Sequence, residues 1–116
     1  MPENLPMLLA EIEAITDIMQ SVKSAYLHVL RANLYVEMQQ YTNAISDYEK
    51  ALSDDDVNNK MWIYRRIAFV YMIQKDYDTA IEYCNKAIAI NSNEENLDML
   101  IEVKTKQILE KQGQKD

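Results

Sequence analysis

The chain has 116 residues, a formal net charge of −7 at pH 7, one glycine and two prolines. The acidic charge disfavours DNA, RNA and anionic membranes as main partners. Because neither Gly nor Pro occurs between Met7 and Gln112, the chain lacks the residues that sheet proteins use at most reversals, and we predict an all-α fold. The lone cysteine, Cys84, excludes an internal disulfide. Together with the lack of a basic leader or a long apolar run, it favours a cytoplasmic location.

Residues 1–24 are predicted to form an N-terminal helix that opens at Pro6. Its apolar side chains recur at alternating steps of four and three residues, the spacing of a coiled-coil seam. They are Leu8, Ile12, Ile15, Met19 and Val22. Two interpretations are open. The helix ends near Ser21 and folds back as a cap, since Ser21 and Ser24 offer a turn; or it runs on into the next helix and its seam forms a homodimer.

Residues 25–94 contain an internal repeat with an offset of 36 residues. Identical residues recur at Ala32 and Ala68, Tyr35 and Tyr71, Tyr41 and Tyr77, Ala44 and Ala80, Ile45 and Ile81, Lys50 and Lys86, and Ala51 and Ala87. The first helix of each unit has interior apolar residues at helical spacing, namely Leu27, Leu30, Leu34 and Met38, then Ile63, Ile67, Val70 and Ile73. A polar turn follows at Gln39–Gln40 or Lys75–Asp76. The pattern predicts two helix–turn–helix units in tandem.

These two units resemble the tetratricopeptide repeat (TPR) family, whose unit is about 34 residues long. The small residue and Tyr of the first helix, the Tyr of the turn and both alanines of the second helix match the family pattern. One departure is Arg31, which stands where the family usually has Leu, while Ile67 fits. The resemblance implies an α-solenoid fragment of about five to six antiparallel helices.

Residues 95–116 are predicted to form a C-terminal capping helix and tail. Acidic Glu94 and Glu95 suit the start of that helix and Lys111 suits its end. An apolar stripe is expected to pack on the repeats; its members are Leu97, Leu100, Ile101, Ile108 and Leu109.

By resemblance, the first helix of each unit lines a concave groove that receives a polypeptide segment. The residues expected there are Tyr26, Val29, Asn33, Val36, Trp62, Arg65, Arg66, Phe69 and Met72, with Met99 and Val103 extending the groove. Trp62, Phe69 and Met72 form either an open apolar patch or a surface covered by a terminal helix. Asn33 either bonds a ligand backbone or is a surface amide. Arg65 and Arg66 either hold a partner's carboxylates or pair with Asp54, Asp55 and Asp56.

No catalytic or cofactor-binding pattern is present. His28 is the only histidine and is expected in the helical core, and Cys84 lies at an interior spacing. Asp54, Asp55 and Asp56 lack the alternation and the glycine of a calcium loop. We therefore expect no enzyme, no metal and no cofactor. The predicted function is protein binding, as an adaptor, assembly factor or chaperone-like holder, with a self-associating homodimer as the alternative.

Overall fold

The computed structural model describes residues 3–54 and 59–113, which form six helices and no strand. In chain order the helices are α1 Leu5–Ile18, α2 Ala25–Glu37, α3 Tyr41–Leu52, α4 Lys60–Ile73, α5 Tyr77–Ile90 and α6 Glu94–Gly113. The predicted all-α helical-repeat fold is therefore confirmed. The chain divides into two compact units, Met1–Asn58 and Asn59–Asp116, and each is described by itself.

In the first unit, α1 packs on α2, and α2 packs along α3. The chain leaves the helix after Ile18, and Ser24 is extended with φ −154° before α2 begins. One long helix from Pro6 into the repeat is therefore not formed. Arg31 of α2 donates a 3.0 Å hydrogen bond from Nη1 to the hydroxyl of Thr16 in α1, so a polar contact also joins the two helices.

Both helical hairpins reverse through the same turn. Gln39 and Lys75, which are 36 residues apart, have φ of 60° and 64°. The N–H of Gln40 donates to the carbonyl of Tyr35 at 2.8 Å, and the N–H of Asp76 donates to the carbonyl of Tyr71 at 3.0 Å. A hydrogen bond from residue i to residue i−5 that follows a left-handed residue is the Schellman motif, which ends many helices. Glycine is the usual left-handed residue in this motif. The chain makes the turn without glycine.

Small side chains let each pair of helices approach closely. Alanines are fully buried at equivalent positions of the two units: Ala32 and Ala68, Ala44 and Ala80, Ala51 and Ala87. In the second unit the core cluster of Ala68, Met72, Ala80, Cys84 and Val103 joins α4, α5 and α6. Each repeated alanine thus occupies a contact in which a larger side chain would force the helices apart.

The rotation of α6 differs from the prediction. Asn96 and Val103 are fully buried, while Leu97, Ile101, Ile108 and Leu109 are 40–61% exposed. The reason is a polar anchor, because Asn96 donates from Nδ2 to the carbonyls of Ala87 at 3.2 Å and Asn91 at 2.7 Å. The carbonyl of Ala87 lies in the last turn of α5 and also accepts the N–H of Asn91 at 3.1 Å, and the carbonyl of Asn91 follows the helix. Asn96 therefore faces inward, and most of the predicted apolar stripe faces outward.

Candidate binding surfaces

One side of α4 carries a stripe of large side chains at helical spacing. Trp62, Arg66, Phe69 and Ile73 follow steps of four, three and four residues, which place them on one side of a helix. Ile73 is 39% exposed and the other three are half-buried. We call these four residues the α4 face.

The guanidinium of Arg66 lies over both aromatic rings of this face. Its Cζ is 5.8 Å from the ring centroid of Trp62 and 5.4 Å from that of Phe69. Both distances are within the range of a cation–π interaction. Arg66 therefore interacts with both rings and brings a positive charge into an otherwise apolar surface.

A pocket of about 340 Å³ opens at the C-terminal end of the α4 face. It is lined by Phe69, Met72, Ile73, Lys75, Tyr77, Glu102 and Lys106. Its apolar and aromatic members come from α4 and the start of α5, and its charged members include Glu102 and Lys106 of α6. The volume is within the range of sites that accept small molecules, and it is large enough for an apolar side chain of a bound polypeptide.

An ion pair ties α4 to α6 beside the α4 face. Nη1 of Arg65 donates to Oε2 of Glu95 at 2.6 Å. The Arg65 side chain is 14% exposed and Glu95 is 74% exposed, so the carboxylate is largely hydrated while the guanidinium is mostly covered. Arg65 is thus paired within its own unit. Asp55 and Asp56, two of its predicted alternative partners, lie outside the described residues.

Met72, which was predicted to line the groove, is mostly buried but also lines the pocket beside the α4 face. It is 5% exposed and belongs to the core cluster with Val103, against which Met99 also packs. Met99 and Val103 therefore do not extend an open groove. Ile73, which was predicted to face the interior, is 39% exposed and belongs to the α4 face. Successive helical residues point about 100° apart, and the spacing from Trp62 through Arg66 and Phe69 would have selected Ile73.

In the first unit the predicted groove residues lie on α2. Tyr26 is 66% exposed, while Val29, Asn33 and Val36 are half-buried. Oδ1 of Asn33 accepts a hydrogen bond from the buried hydroxyl of Tyr48 in α3. This bond gives Asn33 a role in holding α2 on α3, independent of any ligand.

The predicted dimer seam is mostly covered within its unit. Leu8 is 3% exposed, and Ile12, Ile15 and Met19 are half-buried. Val22 follows α1 and is 47% exposed. Because α1 packs on α2, the apolar side of α1 contributes to the unit itself, and this reduces the area that a second chain would bury.

A buried carboxylate in the first unit was missed at the sequence level. Asp47 is 2% exposed. Arg31 donates to it from Nε at 2.7 Å and from Nη2 at 2.8 Å, and Nδ1 of His28 lies 3.2 Å from its Oδ1. The hydrogen bond to Asp47 raises the pKa of the Arg31 guanidinium. The repeat contains a sign of this ion pair. Arg31 and Asp47 of the first unit are charged, whereas Ile67 and Tyr83 at the equivalent positions of the second unit are not.

The described part of the chain offers little to catalysis or metal binding. Cys84 is 1% exposed, and burial raises the pKa of its thiol to about 11, so the reactive thiolate is disfavoured at neutral pH. Among the side chains that the structure describes, no three His, Cys, Asp or Glu groups meet closely enough to hold a metal ion. Within residues 3–54 and 59–113, no helix combines the length and apolar content needed to cross a bilayer.

Comparison with protein families found two matching segments. Residues 25–53 and residues 62–94 each match a family model described as tetratricopeptide repeat. Each match covers one helical hairpin, α2 with α3 and α4 with α5, and the two together span more than half of the chain. No similar sequence was found among curated proteins.

Proposed function

This chain belongs to the tetratricopeptide repeat family, and we propose that it binds a segment of another polypeptide on the first helices of its repeats. Members of this family generally mediate protein–protein interactions. We propose further that this chain acts as an adaptor, assembly factor or holder with no catalytic step of its own. A cytoplasmic location, based on the single cysteine, stays a prediction.

The observation that carries the proposal is the α4 face with its adjoining pocket. Trp and Arg are enriched among the residues that dominate interface energies, and here Arg66 lies over the rings of both Trp62 and Phe69. A partly exposed apolar and aromatic surface of this kind is typical of a site that a partner covers. The 340 Å³ pocket beside it fits one bulky apolar side chain of that partner.

The charges around the face favour a ligand with a carboxylate near its apolar anchor. Arg66 lies in the face, Lys106 lines the pocket, and Glu102 is the acidic group among the pocket residues. Lys75 also lines the pocket but lies 3.6 Å from Glu110 of its own unit. Arg guanidinium groups bind carboxylates with charge-assisted hydrogen bonds. We therefore expect a segment in which Leu, Met or Phe is followed within a turn or two by Asp or Glu.

The test uses a panel of synthetic peptides, each with one bulky apolar residue and neighbouring Asp or Glu, measured by fluorescence anisotropy against the full chain. Trp62→Ala should raise the dissociation constant of a bound peptide about 30-fold or more, as expected for an interface hot spot worth about 2 kcal/mol. Ile90→Ala is the matched control, because Ile90 is 56% exposed and lies at the end of α5.

Circular dichroism of both variants separates loss of binding from loss of folding. Phe69 is less useful as a probe, since it packs on the core cluster and its truncation would also destabilise the unit. Binding that is equally strong in wild type and in Trp62→Ala would show that peptides do not use the α4 face. If no peptide of the panel binds, the proposed ligand chemistry is wrong.

A further inference from the structure

The outer side of α6 is an apolar surface that the second unit leaves exposed. Leu97 is 40% exposed, Ile101 61% and Ile108 55%. Their steps of four and seven residues keep them on one side of the helix, away from the side on which Asn96 and Val103 are fully buried. We call Leu97, Ile101 and Ile108 the outer stripe of α6.

The charges of α6 divide along its length. Acidic residues occupy the first half and lysines most of the second half; they are Glu94, Glu95, Asp98 and Glu102, followed by Lys104, Lys106 and Lys111. Glu110, an exception in the second half, lies 3.6 Å from Lys75 of its own unit. A helix that is negative at one end and positive at the other complements a second copy of itself in antiparallel orientation.

We propose that two copies of this chain pair antiparallel through the outer side of α6. One register satisfies both the apolar and the charged residues. If Leu97 lies opposite Ile108 of the second copy, Glu94 lies opposite its Lys111, because both residue pairs are centred between Glu102 and Val103. A parallel arrangement would instead place each of these charges against the same charge.

In this register Ile101 lies opposite Lys104 of the second copy. The aliphatic stem of a lysine packs on an apolar side chain while its ammonium group reaches water, so this layer is compatible with pairing. The arrangement has two-fold symmetry and therefore closes at two copies. The interface is short, and we expect a weak dimer that forms in the micromolar to millimolar range.

Pairing through this surface leaves the α4 face available. Glu95 and Glu102, the α6 residues that contact Arg65 and line the pocket, are not members of the outer stripe. The dimer would thus present two α4 faces, and a partner with two binding segments would gain affinity from their linkage.

Sedimentation equilibrium of the full chain from about 1 μM to about 1 mM tests the proposal over the range of weak association. With rising concentration, the weight-average mass of the wild type should rise from its 13.6 kDa monomer mass toward twice that value. Ile108→Glu should raise the dimer dissociation constant at least about tenfold, because it places a charge opposite Leu97 of the second copy. Since Ile108 is 55% exposed, circular dichroism of this variant should show unchanged helicity.

Ile18→Glu is the matched control. Ile18 is 46% exposed at the end of α1, and its replacement should leave the dimer unchanged. If Ile18→Glu weakens association as much as Ile108→Glu does, the association involves α1, and pairing through α6 is overturned. A chain that stays monomeric up to about 1 mM also overturns it.

A charge exchange tests the orientation. Glu94→Lys alone and Lys111→Glu alone should each weaken the dimer, because each places like charges opposite one another. The double variant restores opposite charges only in the antiparallel register and should recover most of the association. A double variant no better than either single variant would refute the antiparallel pairing.

Discussion

Replacing Asp47 by asparagine removes a negative charge from the interior of the first unit with little change in side-chain size. Asp47 is 2% exposed and receives two hydrogen bonds from Arg31, whose side chain is 15% exposed. Removing one partner of a buried ion pair costs about 3–5 kcal/mol, because the remaining charge loses its compensation. Since Arg31 keeps some contact with water, we expect the lower end, about 3 kcal/mol.

The second unit supplies the matched comparison. Ile67 and Tyr83 occupy the positions of Arg31 and Asp47 at the 36-residue offset. Arg31→Ile alone should also cost about 3 kcal/mol, because it leaves Asp47 buried without its main partner. Arg31→Ile combined with Asp47→Asn should cost at least about 2 kcal/mol less than the two single costs added, since coupled residues are not additive.

Urea unfolding followed by far-ultraviolet circular dichroism measures all four proteins of this cycle. A free energy of unfolding for Asp47→Asn within about 1 kcal/mol of wild type would refute the argument, because that is the range of solvated surface ion pairs. Additive single costs would show that Arg31 and Asp47 contribute independently of each other.

Three further predictions concern the contact of Asn96 with the end of α5, the left-handed turn residue Gln39 and the buried thiol of Cys84. Asn96→Asp should lower the free energy of unfolding by about 2–4 kcal/mol, because a carboxylate cannot donate to the carbonyls of Ala87 and Asn91; urea unfolding measures it, and a loss below about 1 kcal/mol contradicts it. Gln39→Gly should raise the thermal midpoint slightly, because Gln39 has φ 60°, which costs about 1 kcal/mol in a non-glycine residue. Cys84, whose thiol pKa is raised to about 11, should react with a thiol reagent near pH 8 about a hundredfold more slowly in native than in unfolded protein.

The helical hairpins could be predicted from the sequence because local and repeated signals agree there. The alanines of the 36-residue repeat mark close helix contacts, and Gln39–Gln40 and Lys75–Asp76 mark the turns, where the structure also has them. The rotation of α6 could not be predicted in the same way. Its apolar residues occupy two sides of the helix, since Val103 is buried while Leu97, Ile101 and Ile108 are exposed. The two bonds that turn Asn96 inward depend on where α5 ends.

The candidate site was predictable to the level of the helix but not to the level of every side chain. Trp62, Arg66 and Phe69 share one side of α4 as expected, and their binding role stays a prediction. Met72, expected in the groove, is mostly buried, and Ile73, expected in the interior, is exposed. The family pattern indicates which segments form helices more firmly than it indicates which way the last residues of a helix point. The ion pair of Arg65 with Glu95 joins residues 30 positions apart, and no short-range signal indicates it.

The two units present different surfaces at equivalent positions, and this difference bears on where a partner is recognised. The positions of the α4 face correspond to Tyr26, Leu30, Asn33 and Glu37 in the first unit. That set has one aromatic residue, and its Asn33 already bonds Tyr48, whereas the α4 face combines two aromatic rings with a guanidinium between them. Because aromatic and arginine residues supply most interface energy, the affinity for a bound segment should depend more on Trp62 and Arg66 than on Tyr26 and Asn33.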